Sequence, residues 1–300
     1  MAKKRSAAGA GAEIDLDPKR SLEGLEQPQI RWKTLLQVAA GFAVLWLMAL
    51  GLEPWVGIWG FVVVGVLTAV ALGFGLYVWR MTRKSRAIVD ILKQATDEQG
   101  RRAALAQLEG TKGAGKDALN ALARAQILAQ EDPQKAVSVL EEVDLAKAPA
   151  VVQDDVRANL ALLYLNQGRA KDARALADDV RLDRQPQAKA KAMYAAVVAE
   201  AFARTGKAED AKKLLETYDA GDPAYGEVRA MLLRAQVFTF TATKNRGLAK
   251  TAMGKLAAVE PNLLGVFVQK GSHPELRKLA TTLLQRTGAV PKQRVRMKMR

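Results

Sequence analysis

Two long apolar runs stand near the start of the chain, separated by three residues. The first covers residues 34–52 and the second covers residues 56–79, and Glu53 is the only charged residue among them. At about 1.5 Å per residue, helices of these lengths reach roughly 28 and 36 Å, against a hydrocarbon core of about 30 Å. Because the joining loop is only Glu53-Pro54-Trp55, the pattern predicts a tight transmembrane helical hairpin. A hairpin buried in a soluble core is the alternative, and the lack of a polar face argues against it.

Basic residues flank the two runs, and the joining loop contains none. By the positive-inside rule both ends of the chain then face the cytoplasm, which predicts an integral membrane protein, with the bacterial inner (plasma) membrane as the expected location. Residues 1–31 are polar with charges of both signs and are predicted to be a disordered cytoplasmic segment. Four basic residues after the second run are candidates for contact with anionic lipid or an acidic partner; they are Arg80, Arg83, Lys84 and Arg86.

From residue 87 to residue 290 the apolar positions follow helical spacing, and Ala and Leu predominate. Turn signals such as Asp132-Pro133 and Gln185-Pro186 recur at intervals of roughly 30–40 residues, which is typical of a helix–turn–helix array. We therefore predict an all-α chain with four parts. These parts are a segment at 1–31, the hairpin with its basic turn at 32–86, helical repeats at 87–290 and a basic disordered tail at 291–300.

Two units of the array align with a spacing of 38 residues. Each has a small residue, then an aromatic residue, a glycine and an alanine; the two sets are Ala161, Tyr164, Gly168, Ala173 and Ala199, Phe202, Gly206, Ala211. Small residues let helices approach closely, the aromatic ring fills the gap between repeats, and glycine turns the chain. This pattern resembles the tetratricopeptide repeat, and Pro223 matches the closing proline of that family.

The resemblance extends less closely to the flanking units, over residues 115–260 in all. Ala136 and Ala252 are expected as the alanines of the outer units, and Gly247 as the turn glycine of the last unit. Phe240 stands there where a small side chain is expected. The resemblance implies an α-solenoid of about four helix pairs. An unrelated Ala-rich helical bundle is the alternative.

Composition excludes several kinds of chemistry. The chain has no Cys and only one His, which excludes disulfides, thiolate sites and His-rich metal sites. The glycines of residues 110–116 resemble a phosphate-binding loop, but Asp117 follows where Ser or Thr is needed, and the preceding stretch is helical. Acidic pairs such as Asp154-Asp155 point in different directions on a helix and are interpreted as solvated. We predict no metal, no cofactor and no enzymatic activity.

The positive charge is concentrated at the C-terminal end. Residues 224–300 contain 15 Lys and Arg but only 3 acidic residues, within a net charge of +15 for the chain. The tail alternates basic and apolar residues, and its basic residues are candidates for anionic lipid or an acidic partner: Lys292, Arg294, Arg296, Lys298 and Arg300. The region has no aromatic residues at the spacing that base stacking needs, which argues against nucleic acid as a partner.

The resemblance implies that the first helix of each repeat lines a groove for a peptide segment of a partner protein. The groove positions in this chain would be Ala158, Leu162, Asn166, Ala196, Glu200, Arg204, Arg234 and Thr241. Asn166 and Arg204 would hold backbone or carboxylate groups, and Leu162 and Ala196 would shape the floor. The chain is thus predicted to be a membrane-anchored scaffold for protein partners, with envelope-complex assembly as a candidate role. The alternative is an accessory subunit of a membrane complex, with the hairpin as its main contact.

Overall fold

The computed structural model describes residues 32–51, 57–95, 97–111, 117–269 and 273–287. Every regular element among them is a helix, which confirms the predicted all-α class. The predicted N-terminal segment 1–31, the joining loop 53–55 and the basic tail 291–300 lie outside the described residues. Contacts divide the chain into a unit of residues Leu25–Ile91 and a unit that begins at Leu92.

The first unit contains two helices at the positions of the two apolar runs. These are α1 (Trp32–Gly51) and α2 (Ile58–Gln94). The indole N–H of Trp46 donates to the hydroxyl oxygen of Thr68 over 3.3 Å, and the Trp46 and Phe61 rings are 6.3 Å apart. The end of α1 therefore packs against the first half of α2.

Only one of these helices is long and apolar enough to cross a membrane, by length and composition, among the described residues. That stretch is Ile58–Leu76, with 19 residues, a mean hydropathy of 2.2 and 6% of its residues buried. The apolar part of α1, Leu36–Gly51, is shorter than a span requires. The second helix of the predicted hairpin is thus the one candidate span among the described residues, and the two-span hairpin is not confirmed.

The second unit begins with α3 (Glu98–Glu109) and continues with helices that pack in pairs. The pairs are α4 (Ala118–Glu131) with α5 (Pro133–Glu141), α6 (Ala150–Asn166) with α7 (Ala170–Ala177), α8 (Ala188–Arg204) with α9 (Ala208–Glu216), and α10 (Arg229–Ala242) with α11 (Arg246–Val259). Two further helices follow, α12 (Gly265–Val268) and α13 (Pro274–Thr287). The described part of this unit has the predicted four helix pairs.

The residues around the phosphate-loop resemblance have structural roles. The preceding stretch is helix α3, as expected, and Gly110 ends it. The carboxylate of Asp117 accepts a hydrogen bond from the backbone N–H of Leu119 over 3.1 Å, which caps the start of α4. Residues 112–116 lie outside the described part of the chain.

The turns within three of the pairs have the same geometry. Gly168 and Gly206 adopt positive φ angles of 82° and 90°, as glycine readily does, and Lys244 occupies the equivalent place after α10 with φ of 60°. The next residue in each turn donates its N–H to the carbonyl of the repeat's aromatic residue, over 2.8, 2.9 and 2.7 Å. The prediction of Gly247 as the third turn glycine was wrong, because Gly247 lies within α11.

The small residues of the repeat are buried as predicted. Ala161, Ala199, Ala136, Ala173 and Ala211 are all fully covered, so each one lets two helices approach. The rings of Tyr164 and Phe202 fill the gaps beside them, with Tyr164 buried and Phe202 half-buried. Pro223 begins a short 3-10 helix, Pro223–Val228, that leads into α10.

The last unit keeps the 38-residue spacing that the sequence alignment missed. Ala249 lies 38 residues after Ala211 and is buried, so it takes the place expected for Ala252, which is also buried. Phe240 lies 38 residues after Phe202 and accepts the same turn hydrogen bond. It is therefore the aromatic residue of this unit, and the position that needs a small side chain is a different one.

Candidate functional site

The eight predicted groove residues all lie on α6, α8 and α10, the first helices of three pairs. We call the surface formed by their matched positions the first-helix face. Three sets of positions related by 38 residues define it: Ala158, Ala196, Arg234; Leu162, Glu200, Phe238; and Asn166, Arg204, Ala242. Thr241 lies beside this last position on α10.

Arg234 links all three helices of this face. Its Nη1 donates to Oδ1 of Asn166 over 2.7 Å, and its Nη2 donates to Oε1 of Glu200 over 2.9 Å. Its Nε also lies 2.8 Å from Oε2 of Glu200. Arg234 is 2% exposed and Glu200 is 1% exposed. This buried, charge-assisted arrangement joins three repeats.

Arg204 is attached to the same cluster. Its Nη1 donates to Oε1 of Glu200 over 3.0 Å and to the backbone oxygen of Leu165 over 2.9 Å. Its guanidinium carbon lies 4.8 Å from the centre of the Phe238 ring, within the range of a cation–π contact. The guanidinium of Arg204, which was predicted to hold a backbone or carboxylate group of a partner, is therefore already engaged within the chain.

The other predicted residues differ in how far they can be reached. Ala158 and Ala196 are buried and pack between helices, so they form no open floor. Thr241 is half-buried, and its hydroxyl donates to the carbonyl of Val237 on its own helix over 2.7 Å. Leu162 and Asn166 on α6 are also half-buried; both oxygen atoms of Asn166 accept bonds from Arg234 and Gln269, so Leu162 remains the accessible apolar position of the predicted set.

A segment that sequence analysis did not assign to this face lies against it. The Phe267 ring is 4.7 Å from the Phe238 ring, and Nε2 of Gln269 donates to the backbone oxygen of Asn166 over 3.0 Å. The apolar residues from Leu263 to Val268 were the available signal, since an apolar run this late in the array must pack on something.

The acidic pair at the start of α6 is not solvated, contrary to the prediction. Asp154 is buried near Arg157 and Arg184, whose Nη1 atoms lie 3.4 and 3.7 Å from its carboxylate. The Asp155 carboxylate accepts hydrogen bonds from the Tyr194 hydroxyl over 2.7 Å and from the side-chain amide of Gln185 over 3.2 Å. Burial raises the pKa of Asp155 in spite of these bonds. The two carboxylates do point to different partners, as predicted.

The repeat aromatics lie beneath basic side chains. The guanidinium of Arg169 lies 4.1 Å from the Tyr164 ring centre, and that of Arg174 lies 4.1 Å from the Phe202 ring centre. The Tyr164 hydroxyl donates to the Glu141 carboxylate over 2.5 Å. Burial and then this hydrogen bond raise the pKa of Tyr164 to about 12. These aromatic residues are therefore held by contacts within and between repeats.

The predicted lipid contacts lie only partly within the described residues. Arg80 and Arg83 are exposed, and the Arg83 guanidinium lies 5.5 Å from the Trp79 ring centre. The side chains of Lys84 and Arg86 and all five basic tail residues lie outside the described part. Within the described ranges, no three His, Asp or Glu side chains are grouped closely enough to hold a metal ion.

Stacked helix pairs with buried alanines and left-handed turns define a helical repeat protein. The model of the tetratricopeptide repeat family matches residues 128–197, from the end of α4 into α8. This match supports a protein-interaction module of a generally non-catalytic kind. No curated protein and no solved structure matches the chain.

Proposed function

We propose that this protein is a membrane-anchored scaffold whose repeats bind a protein partner at the cytoplasmic face of the membrane, with envelope-complex assembly as its setting. The observation that carries the proposal is the tetratricopeptide match over a stack of helix pairs, with the half-buried Leu162 as the accessible strip on the first-helix face. Such stacks present long surfaces for extended partners. Leu162 would contact an apolar side chain of the partner.

The exposed apolar surface of α2 supports the anchor. Ile58, Leu72 and Phe74 are each exposed by more than half, within the 19-residue stretch whose mean hydropathy is 2.2. Water contact with such a surface is unfavourable, and a bilayer would cover it. The basic residues in the later part of α2, after its apolar stretch, favour a cytoplasmic repeat unit. Anionic lipid would add to this anchoring through Arg80 and Arg83.

An accessory subunit of a larger membrane complex is a second candidate. The apolar stretch of α1 is exposed at Leu36 and Leu47 yet shorter than a span, so a neighbouring membrane protein is a suitable cover for it. Replacing residues 32–79 with an unrelated hairpin separates the two functions. A scaffold would keep its partner after the replacement, and an accessory subunit would lose its complex.

The partner test uses the full chain in its own membrane, extracted with mild detergent and captured through a tag. Leu162→Arg places a charge on the accessible strip and is expected to reduce the recovered partner at least tenfold, which is about 1.4 kcal/mol of binding free energy. Lys212→Glu on the exposed side of α9 is the matched control and should leave recovery unchanged. If Leu162→Arg recovers the same partners as the unmodified chain, the first-helix face is not the binding surface.

A further inference from the structure

The segment after α11 is short and mostly apolar, and four of its apolar side chains are buried. It consists of a 3-10 helix, Pro261–Leu264, and α12, Gly265–Val268. Leu263, Leu264, Val266 and Phe267 belong to the same buried cluster as residues of α8, α10, α11 and α13, and the segment packs mainly on α11 and α13. A loop of the ordinary kind is exposed and polar, so this composition and burial indicate a packed element.

The segment reaches back over two repeats. Phe267 contacts Phe238, whose position on α10 matches that of Leu162 on α6. Gln269 then bonds to the carbonyl of Asn166 on α6, 103 residues earlier. The backbone oxygen of Gln269 is itself held by Nη2 of Arg277 on α13, over 3.2 Å. The segment therefore crosses the first-helix face from α10 to the end of α6.

We infer that residues 261–269 are a fixed occupant of the first-helix face over α8 and α10, and that a partner segment docks only on the part that α6 provides. The statement about the partner rests on the proposed function, and the statement about the occupant does not. Glu200, Arg204 and Arg234 then hold the repeats together, the occupant reaches Asn166, and Leu162 is what a partner touches.

The burial decides between a fixed occupant and a displaceable one. A partner that replaced the segment would first expose four buried apolar side chains. The usual free energy of burying one such side chain is counted four times here. The conformation in which the segment has left the face is then populated by on the order of one molecule in ten thousand or fewer. That population lowers the apparent affinity of any competing partner by the same factor. A partner therefore does not compete effectively with residues 261–269 for the part of the face that they cover.

Thiol labelling of the full chain tests the occupant without a partner. The chain has no Cys, so Val266→Cys and Val268→Cys each introduce the only thiol. They are a matched pair of valines on one segment, 8% and 36% exposed. We expect a maleimide to react with Val266→Cys at least about a hundredfold more slowly than with Val268→Cys, because only the first requires opening. Similar rates at the two positions would overturn the fixed occupant.

Partner recovery tests whether the covered half of the face ever binds. Phe267→Ala weakens the occupant, and Gln269→Ala removes only its bond to Asn166, so at least the second variant should keep the fold. We expect neither variant to increase the amount of partner recovered. An increase of severalfold with either would show a displaceable, autoinhibitory segment and would overturn the inference. If the unmodified chain recovers no partner, the proposed function fails, and the labelling rates alone decide the occupant.

Discussion

Arg234 is the residue on which most of the first-helix face depends. Its guanidinium is almost fully buried and touches the side chains of Asn166 on α6 and Glu200 on α8. Removing two charges from water is costly, and the hydrogen bonds from Nη1 and Nη2 of Arg234 offset part of that cost. Arg204 adds a second positive charge to the one carboxylate of Glu200. Loss of Glu200 therefore leaves the buried Arg234 without a counter-charge, and loss of Arg234 leaves Glu200 with Arg204 alone and removes the donor to Asn166.

Arg234→Ala is expected to reduce the free energy of unfolding of the repeat helices by about 3–5 kcal/mol, as for other broken buried pairs. Arg246→Ala is the control, because its bond to Glu275 joins two exposed side chains and is worth about 1 kcal/mol or less. Urea titration followed by circular dichroism measures both. An equal, small loss for the two variants would contradict the structural role of Arg234.

Asp155 gives the repeats a specific dependence on pH. Its folded pKa is raised by burial, so the folded state holds the proton at pH values where the unfolded chain, with a pKa of about 3.9, has lost it. The contribution of this group to stability is therefore present at low pH. It is lost as the pH rises through the raised folded value.

Asp155→Asn removes this titration, so the variant should gain stability relative to the unmodified chain as the pH rises from about 4 to 7. Tyr194→Phe should have the opposite effect on the slope of the free energy of unfolding against pH, because it removes a hydrogen bond that favours the ionised Asp155 carboxylate. Urea unfolding at several pH values measures both slopes. A difference between variant and parent that does not change with pH would contradict the assignment to Asp155.

At the scale of elements, the backbone conformation of the turns inside the helix pairs affects the stability of each pair. Gly168 and Gly206 have positive φ, and a Cβ atom at either would meet nothing within 4 Å. The cost of a side chain there is therefore backbone strain alone. Lys244 accepts this strain at the equivalent turn, with φ of 60°. The third turn is thus the weakest of the three in its local energetics.

Gly206→Ala is expected to destabilise the repeats by about 1–2 kcal/mol, the usual cost of the left-handed region for an L-residue. Gly254→Ala within α11 is the matched control with the opposite sign, because open space surrounds it and alanine favours a helix by about 0.5–1 kcal/mol. Thermal unfolding of the two variants gives the comparison. A destabilising Gly254→Ala, or a neutral Gly206→Ala, would contradict the turn geometry.

The sequence predicts the parts of the fold that depend on local signals. Tyr164 and Phe202, with their turn glycines, are such a case, because aromatic residue and turn lie four residues apart. The last unit was misaligned because Lys244 replaces the turn glycine. Ala249 and Ala252 lie nearly one turn apart on the same helix face, so sequence alone does not separate them. Which of the two alanines is the small residue of the last unit follows only from the packing.

The candidate site was predicted only as a set of positions. Asn166, Glu200 and Arg234 were correctly placed on one face, yet their bonds to each other join residues 34 and 68 positions apart. Hydrogen bonds between residues so far apart leave no periodic pattern in the sequence from which they could be predicted. The contact of Gln269 with Asn166 spans 103 residues and was not predicted for the same reason.

For the whole molecule, membrane topology is the prediction with the widest consequences. Both ends are predicted to face the cytoplasm, and the joining loop to face outward. One apolar stretch of the described chain, Ile58–Leu76, has the length for a span. A single crossing would place the two ends on opposite sides, and a hairpin would place them on the same side.

Single-cysteine variants of this cysteine-free chain distinguish these cases. In intact cells, an impermeant maleimide should label Trp55→Cys and leave Gly11→Cys and Gly288→Cys unlabelled. Permeabilised cells should label all three, which controls for reactivity. Labelling of either end from outside, or a protected Trp55→Cys, would contradict the hairpin.

The packed segment after α11 also determines how this array can change in length. A unit of 38 residues placed between α9 and α10 would meet a neighbouring pair on each side, as α8 and α9 do now. The same unit placed after α13 would find the surface of α10 already taken by Phe267. Grafted or duplicated repeats are therefore expected to be tolerated inside the stack and rejected at its C-terminal end.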